Sequence, residues 1–403
     1  MESIDLSDDL SFRKGFPHDY FTWLRKNNPI YWHEPTHVTP DKEGFWVVCC
    51  YEDVNYVLRN PTIFSSDKAG ERVGGGTGIK DEKTAGKLLN QSDGAQHRRL
   101  RALVQKGFTL KAVQELEDVL RNKARTIFRK LKIGDKLDFA TSISPEIPTQ
   151  AICTVLGVPE KDRKDLCEWI DLGIEAASTS VIASEYLAKI RNYSKSLIET
   201  KRDRPTLDIF SRIVHAEFEE DGSILTDYEL GSFFSLLFPA GAETTTRSIS
   251  GAIQAFIENP RELDKLRADK TLVKSAIEEV VRWTTPSVYK RRTAKSDTVI
   301  QDCRIAIGDK VTVWEMSANR DEQVFDDPFL FNIERDPNKH LGFGAGAHFC
   351  LGASLARLEL KIVLEEFLAS DVLLSIDGPI EWTPNNRLVG IKRLPVKVVS
   401  RSS

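Results

Sequence analysis

The sequence predicts a mainly α fold carrying small β-sheets, an α+β chain folded as one unit from residue 1 to residue 403. Three observations carry that expectation. Thr226-Asp227-Tyr228-Glu229 is a capping box that opens a long apolar helix running to Asn259-Pro260, about 50 Å at ~1.5 Å per residue. Several further segments place apolar residues at helical spacing. Short runs rich in β-branched and aromatic residues cluster near the N-terminus, after Pro286 and after Leu373, where they read as small sheets. No repeat, low-complexity tract or linker divides the chain.

In chain order, Phe21 to Asn27 reads as a short helix. The extended runs Pro29 to Trp32 and Gly44 to Cys49 form a plausible hairpin, and Tyr51 to Arg59 is a helix stopped by Asn60-Pro61. Periodicity fails from Asp67 to Asn90. Gly74-Gly75-Gly76-Thr77-Gly78 there lacks the Gly-Lys-Ser/Thr ending of a phosphate loop, so a mobile surface loop is expected. Asp93 to Thr109 forms a basic helix, with His97 and Arg101 on one face. Helices follow over Lys111–Leu131, Ser144–Leu156, Glu160–Ala177 and Ser184–Arg202, the last with Ser184 as N-cap. In the long helix Pro239 lacks an N–H for Ser235 four residues earlier, which predicts a bend or a widened turn. Lys270 to Trp283 is amphipathic, and Val311 to Trp314 reads as a strand.

A formal net charge of −4 argues against a general nucleic-acid binder. No run approaches the ~18 apolar residues needed to span a bilayer, and Met1-Glu2-Ser3-Ile4-Asp5 does not resemble a signal or anchor. Six scattered cysteines (49, 50, 153, 167, 303 and 350) suit reduced thiols. The expectation is a cytoplasmic monomer without a membrane anchor.

Two stretches carry chemistry. Phe343-Gly344-Ala345-Gly346-Ala347-His348-Phe349-Cys350-Leu351-Gly352 leads into an apolar helix through Ala353-Ser354-Leu355-Ala356-Arg357. Its glycines allow close backbone approach to a flat, bulky group. A helix N-terminus beside Cys350 predicts a lowered thiol pKa. An inert buried cysteine, a zinc ligand and an axial ligand to a haem iron all remain open on this chemistry alone. The second stretch is Ala240-Gly241-Ala242-Glu243-Thr244-Thr245, a carboxylate beside two hydroxyls in an apolar helix. It is either a site or a Glu turned outward with back-bonded threonines.

Phe343 to Arg357 resembles, at every fixed position, the Phe-Gly-x-Gly-x-His-x-Cys-x-Gly-x-x-Leu-Ala-Arg loop of the cytochromes P450. The resemblance extends from about Phe45 to Pro395. It implies haem b, with Cys350 as iron ligand, Phe343 packed near it, Gly352 in the same loop and His348 as a propionate partner. It also implies that His97 and Arg101 bind propionates, as does Arg292 of Arg292-Thr293-Ala294, with a one-residue ambiguity against Arg291. Ala240 to Thr245 matches the family's oxygen-activation motif. Glu243 is then the acid of a proton relay, Thr244 the alcohol beside dioxygen, and Gly241 the gap that admits it. Glu279 and Arg282 match the family's Glu-x-x-Arg, with Arg335 as the third member of a core network.

The implied activity is a haem-thiolate monooxygenase of the soluble bacterial type, using O2 and electrons from a ferredoxin with its reductase. Arg98, Arg99, Lys106, Arg357 and Lys361 form a candidate docking face. A peroxygenase or isomerase would not need Glu243 and Thr244, and a haem sensor would need an output partner. The substrate chamber is expected to be lined by Leu236, Pro239, Ala240, Val288, Leu388 and Val389, with Val73, Ile79, Leu88 and Leu89 from the glycine-rich loop. The six chamber positions are apolar, which suits a terpenoid or steroid-like hydrocarbon; a fatty acid or polyketide is the alternative.

Overall fold

The computed structural model describes residues 3–166, 168–169, 180–218 and 222–401. Its helices are α1 (His18–Asn27), α2 (Tyr51–Arg59), α3 (Gly94–Gln105), α4 (Leu110–Gln114), α5 (Glu117–Lys130) and α6 (Glu146–Val155). They continue with α7 (Ser180–Asp203), α8 (Asp227–Glu258), α9 (Val273–Thr284) and α10 (Ala353–Ala369), besides further short helices that include Ile209–Val214 and Pro260–Ala268. Around half of the chain is helical and the strands form several small sheets, as the sequence predicts.

Helix α8 is the axis of the helical lobe. Thr226 caps it by the expected reciprocal box, its hydroxyl accepting from the Glu229 N–H while the Glu229 carboxylate accepts from the Thr226 N–H at 2.8 Å. Leu230, Phe233, Phe234, Leu237 and Phe238, then Ile249, Ala252, Ile253 and Phe256, recur at three- and four-residue steps and are buried. That stripe packs α8 against α6, α7, α9 and α10. Phe234 lies between Phe210 and Phe238 (centroids 5.5 and 5.7 Å), where burying one such ring contributes roughly 1.5–3 kcal/mol. The helix is uninterrupted at Pro239.

The second lobe is built on a five-stranded sheet. In chain order its strands are β1 (Ile30–His33), β2 (Phe45–Val48), β3 (Phe64–Ser65), then, after β4 (Lys136–Asp138) of another sheet, β5 (Lys290–Ala294). Past the hairpin of β6 (Thr298–Ile300) and β7 (Cys303–Ile305) comes β8 (Lys310–Val313), giving the order β1-β2-β8-β5-β3. The predicted hairpin is present, with Ile30 opposite Val48 and His33 opposite Phe45. Alternation decides which core each side chain enters. Phe45 and Val47 join Phe12, Phe21 and Trp314, whereas Val48 faces Val54, Val311 and Val313 on the other side. Near the C-terminus β12 (Pro395–Arg401) lies between β4 and β9 (Val372–Ile376), pairing antiparallel with both, while β10 (Glu381–Trp382) and β11 (Ile391–Arg393) make a ribbon.

Four expectations are corrected here. The segment Lys111–Leu131 is two helices, α4 and α5, broken at Glu115-Leu116. Ser184 lies inside α7, which already includes Ser180, so it is not an N-cap. The glycine-rich loop is not a loose surface excursion: Gly74 to Ile79 are buried, and Arg72 ties Glu43 to Asp81 while Arg291 holds Asp81 at 2.8 Å. Val73, by contrast, is 86% exposed and contributes nothing to a chamber. Of the expected helix Glu160–Ala177, residues 167 and 170–177 lie outside the described residues, and the described part opens with a 3-10 turn over Glu160–Asp162.

Candidate active site

A cavity of about 520 Å³ lies between α8 and the loop that enters α10. Fourteen of the sixteen site residues expected from sequence line it: His97, Arg101, Leu236, Pro239, Ala240, Gly241, Glu243, Thr244, Arg292, Phe343, His348, Cys350, Gly352 and Leu388. Val288 and Val389 do not. Both are buried in the apolar cluster around Phe45 and Trp314, because the strand entry and the C-terminal turn point them at the sheet. Ile79 belongs to the same cluster, and of the four loop candidates only Leu89 reaches the cavity.

The Cys350 loop is fixed by backbone geometry. Gly346 adopts φ +69°, and a Cβ there would sit 2.8 Å from the Leu58 carbonyl oxygen, so only glycine fits. The Cys350 N–H donates to the Phe343 carbonyl at 2.9 Å, and the Arg357 guanidinium lies 4.6 Å above the Phe343 ring. Cys350 opens onto the cavity but is ringed by protein. Burial pushes its thiol pKa up, against the Gly352 N–H and the Lys290, Arg101 and Arg357 charges, which pull it down. The expected lowering is therefore reversed: α10 starts at Ala353, three residues on, and burial outweighs its N–H groups. Among the described residues no three His, Cys, Asp or Glu side chains converge as a metal cluster.

Donors and cations gather at one edge. The His348 imidazole donates to Asp93 at 2.8 Å, and its ring centroid is 4.3 Å from that of His97. Burial, His348 and Arg101 together press the His97 pKa down to about 4. Burial opposes ionisation of Asp93, yet hydrogen bonds from His348, Ser65 and the Ser66 N–H hold its pKa at about 2. Alternation along β5 resolves the Arg pair: Arg292 faces the cavity, and Arg291 points the other way to Asp81 and Thr293.

On the opposite wall Thr244 donates to the Ala240 carbonyl at 3.1 Å, the back-bonding weighed from sequence. Gly241 has a packing reason besides the one expected, since a Cβ would lie 2.6 Å from Ile152 Cδ1 of α6. Sequence reasoning missed three carboxyl or ammonium groups on this cavity. Glu359 of α10 is buried, its acid pKa raised well above normal by burial although the Thr245 hydroxyl bonds to it. Lys290 and Glu315 form a 2.9 Å ion pair, Glu315 fully buried. Arg387 also reaches the wall. Period-two spacing from Arg292 could have flagged Lys290; nothing local marks the others.

Behind the loop, Glu279 and Arg282 are both fully buried and joined by two 2.7 Å bonds, with Arg335 at 3.3 Å. The expected docking cations are largely engaged: Arg357 holds Glu278, Lys361 holds Glu117, and Arg99 lies over Phe218.

A family model described as Cytochrome P450 matches residues 175–370. Cytochrome P450 126 of Mycobacterium tuberculosis is 44% identical over 99% of this chain and 98% of its own. The chain belongs to the cytochrome P450 family. A Mycobacterium tuberculosis methyl-branched lipid omega-hydroxylase is 36% identical over 93% of this chain and 90% of its own. A steroid C26-monooxygenase of that species is 34% identical over 89% and 84%. Among solved structures, Mycobacterium marinum cytochrome P450 CYP268A2 in complex with pseudoionone superimposes with a TM-score of 0.89. It is 31% identical and covers 98% of each chain.

As a member of this P450 family the protein is a haem b monooxygenase, and its residues fit that group. A lone thiol opens onto the cavity, and Gly352 would place a Cβ in open space. Three guanidinium groups on the wall, from Arg101, Arg292 and Arg387, have no carboxylate in ion-pair contact among the described residues. No described helix is long and apolar enough to cross a membrane.

Proposed function

We propose that this P450 hydroxylates a branched, largely hydrocarbon molecule of terpenoid or steroid-like shape. The observation that carries the reading is the wall formed by Leu89, Phe108, Leu236, Pro239, Ala240 and Leu388 on the cavity that Cys350 opens onto. Such a wall selects by shape and by apolar area removed from water, worth roughly 25 cal/mol per Å². The methyl-branched lipid and steroid relatives and the pseudoionone complex lend support.

Haem supplies the redox iron at which O2 is reduced and one oxygen atom is passed to a C–H bond. The net conversion consumes O2, two electrons and two protons, and yields alcohol and water. In this reading Cys350 holds the iron, and His97, Arg101 and Arg292 bind propionates. His348 is fixed by Asp93 at the same edge. Glu243 and Thr244 move the protons, Glu243 bringing them from outside and Thr244 holding one at its Oγ1. The whole chain, 1–403, serves this cavity as one catalytic unit. Electrons come from a separate ferredoxin with its reductase. The adjacent acid and alcohol favour a monooxygenase over a peroxygenase, which has no use for them.

The test is titration of the ferric protein with sterols, mono- and diterpenoids and unbranched fatty acids, following the low-spin to high-spin shift. Turnover with NADH and redox partners is then compared with peroxide alone. Tight shifts with unbranched fatty acids only, or product formed equally well from peroxide, would overturn it.

A further inference from the structure

Although Glu315 feels its charge, Arg387 is a cation of the cavity wall with no carboxylate in ion-pair contact among the described residues. Its backbone is locked: the N–H donates to Asn385 Oδ1 at 2.9 Å and the carbonyl accepts from the Val288 N–H at 3.0 Å. Among the described residues the guanidinium makes one hydrogen bond, from Nη2 to Thr77 Oγ1 at 2.7 Å. Nη1 lies against Gly78, where a Cβ would come within 3.1 Å. The side chain is thus held between the glycine-rich loop and the C-terminal turn, half-buried, with N–H donors to spare.

Two other cationic groups of the wall are paired with carboxylates. Lys290 is neutralised by Glu315 at 2.9 Å and also bonds Ser287, and His348 is bonded to Asp93. Arg101 donates to the Phe349 carbonyl and Arg292 to the Arg291 carbonyl, and neither meets a carboxylate. Haem brings two carboxylates for three such guanidiniums. Arg101 and Arg292 are the two nearer the thiol loop. Arg101 bonds a residue of that loop, and Arg292 shares the edge with His348, whose imidazole feels its charge. Arg387 instead sits beside Leu388, on the apolar wall.

We propose that Arg387 receives a carboxylate carried by the substrate, which makes the substrate a branched hydrocarbon acid rather than a neutral skeleton. This rests on the monooxygenase reading above and names its substrate class. A planar guanidinium, pre-set by Thr77 and the backbone bonds around it, binds a carboxylate through parallel N–H donors in a mostly apolar enclosure. The anchored head then determines which carbon along the chain lies over the iron side of the cavity.

The experiment pairs phytanic acid with methyl phytanate on purified holoprotein. Dissociation constants come from equilibrium dialysis and from the ferric spin shift. The acid is expected to bind at least about tenfold tighter than the ester. Arg387→Leu should bring the acid down to the ester's affinity, leaving ester binding and haem content unchanged, and Arg387→Lys should keep part of the preference. Equal affinity of the native protein for acid and ester would overturn the proposal. If the ester still shifts the spin state, the branched-substrate reading survives that result. Loss of haem or a changed reduction potential in Arg387→Leu would overturn it too, by assigning Arg387 to a propionate.

Discussion

The two walls of the cavity treat charge in opposite ways. Behind Cys350 three guanidiniums are paired with carboxylates of the protein: Arg282 with Glu279, Arg335 with the same carboxylate, Arg357 with Glu278. Across from it and along its edge, Arg101, Arg292 and Arg387 make, among the described residues, single hydrogen bonds to neutral oxygens, and Thr244 bonds its own helix. A wall that must hold a ligand-bearing loop in one geometry pairs its guanidiniums with carboxylates of its own. A wall that must receive propionates, protons and substrate keeps donors open and relies on the backbone to aim them.

The contrast breaks most visibly at the scaffold. Glu279→Ala leaves Arg282 buried with no countercharge, which should cost roughly 3–5 kcal/mol. Soluble yield and the urea midpoint of the holoprotein would show it; a midpoint within error of the native protein would mean that the network does not support the loop.

Asp93 lies between the two walls and sharpens the comparison by pH. Its pKa of about 2 is below the ordinary carboxylate value, so the unfolded chain takes up the proton first as pH falls. Its stabilisation is present above about pH 4 and fades as pH drops towards 2. Asp93→Asn should therefore cost roughly 2 kcal/mol at neutral pH, with the gap to native protein narrowing below about pH 4. A gap that stays constant down to acid pH would point to packing rather than to the carboxylate.

The smallest effect belongs to the receiving wall. Thr244→Ala removes a hydroxyl that, among the described residues, bonds the Ala240 carbonyl of its own helix, so folding and substrate binding should hold. Product formed per NADH consumed should fall about tenfold, the balance appearing as peroxide. Unchanged coupling would remove Thr244 from the proton path.

Legibility followed the same division. The Cys350 loop is contiguous, and its glycines, aromatic ring and cysteine could all be read in one stretch; so could the capping box and stripe of α8. The receiving wall is assembled from Thr77, Leu89, Leu236, Lys290, Arg387 and Leu388, positions that only the tertiary fold brings together. Val288 and Val389 follow the bridged pair Ser287 and Leu388, which line the cavity, and neighbours on extended backbone face opposite sides; the sequence does not say which side is the cavity. The buried glycine-rich loop looked mobile because its order comes from ion pairs to Glu43 and Arg291, both remote in sequence. Burial also reversed the direction expected for the Cys350 thiol, a tertiary effect that no local helix start reveals.

Cys350 as the iron's thiolate is the claim on which both walls depend. It is tested most directly by the carbon monoxide difference spectrum of the dithionite-reduced holoprotein, recorded beside Cys350→Ala reconstituted with haem. The native protein should give the long-wavelength Soret band of a thiolate-ligated complex, and the variant should lose it even where haem remains bound. The same band in both proteins, or in neither when freshly purified, would contradict the assignment.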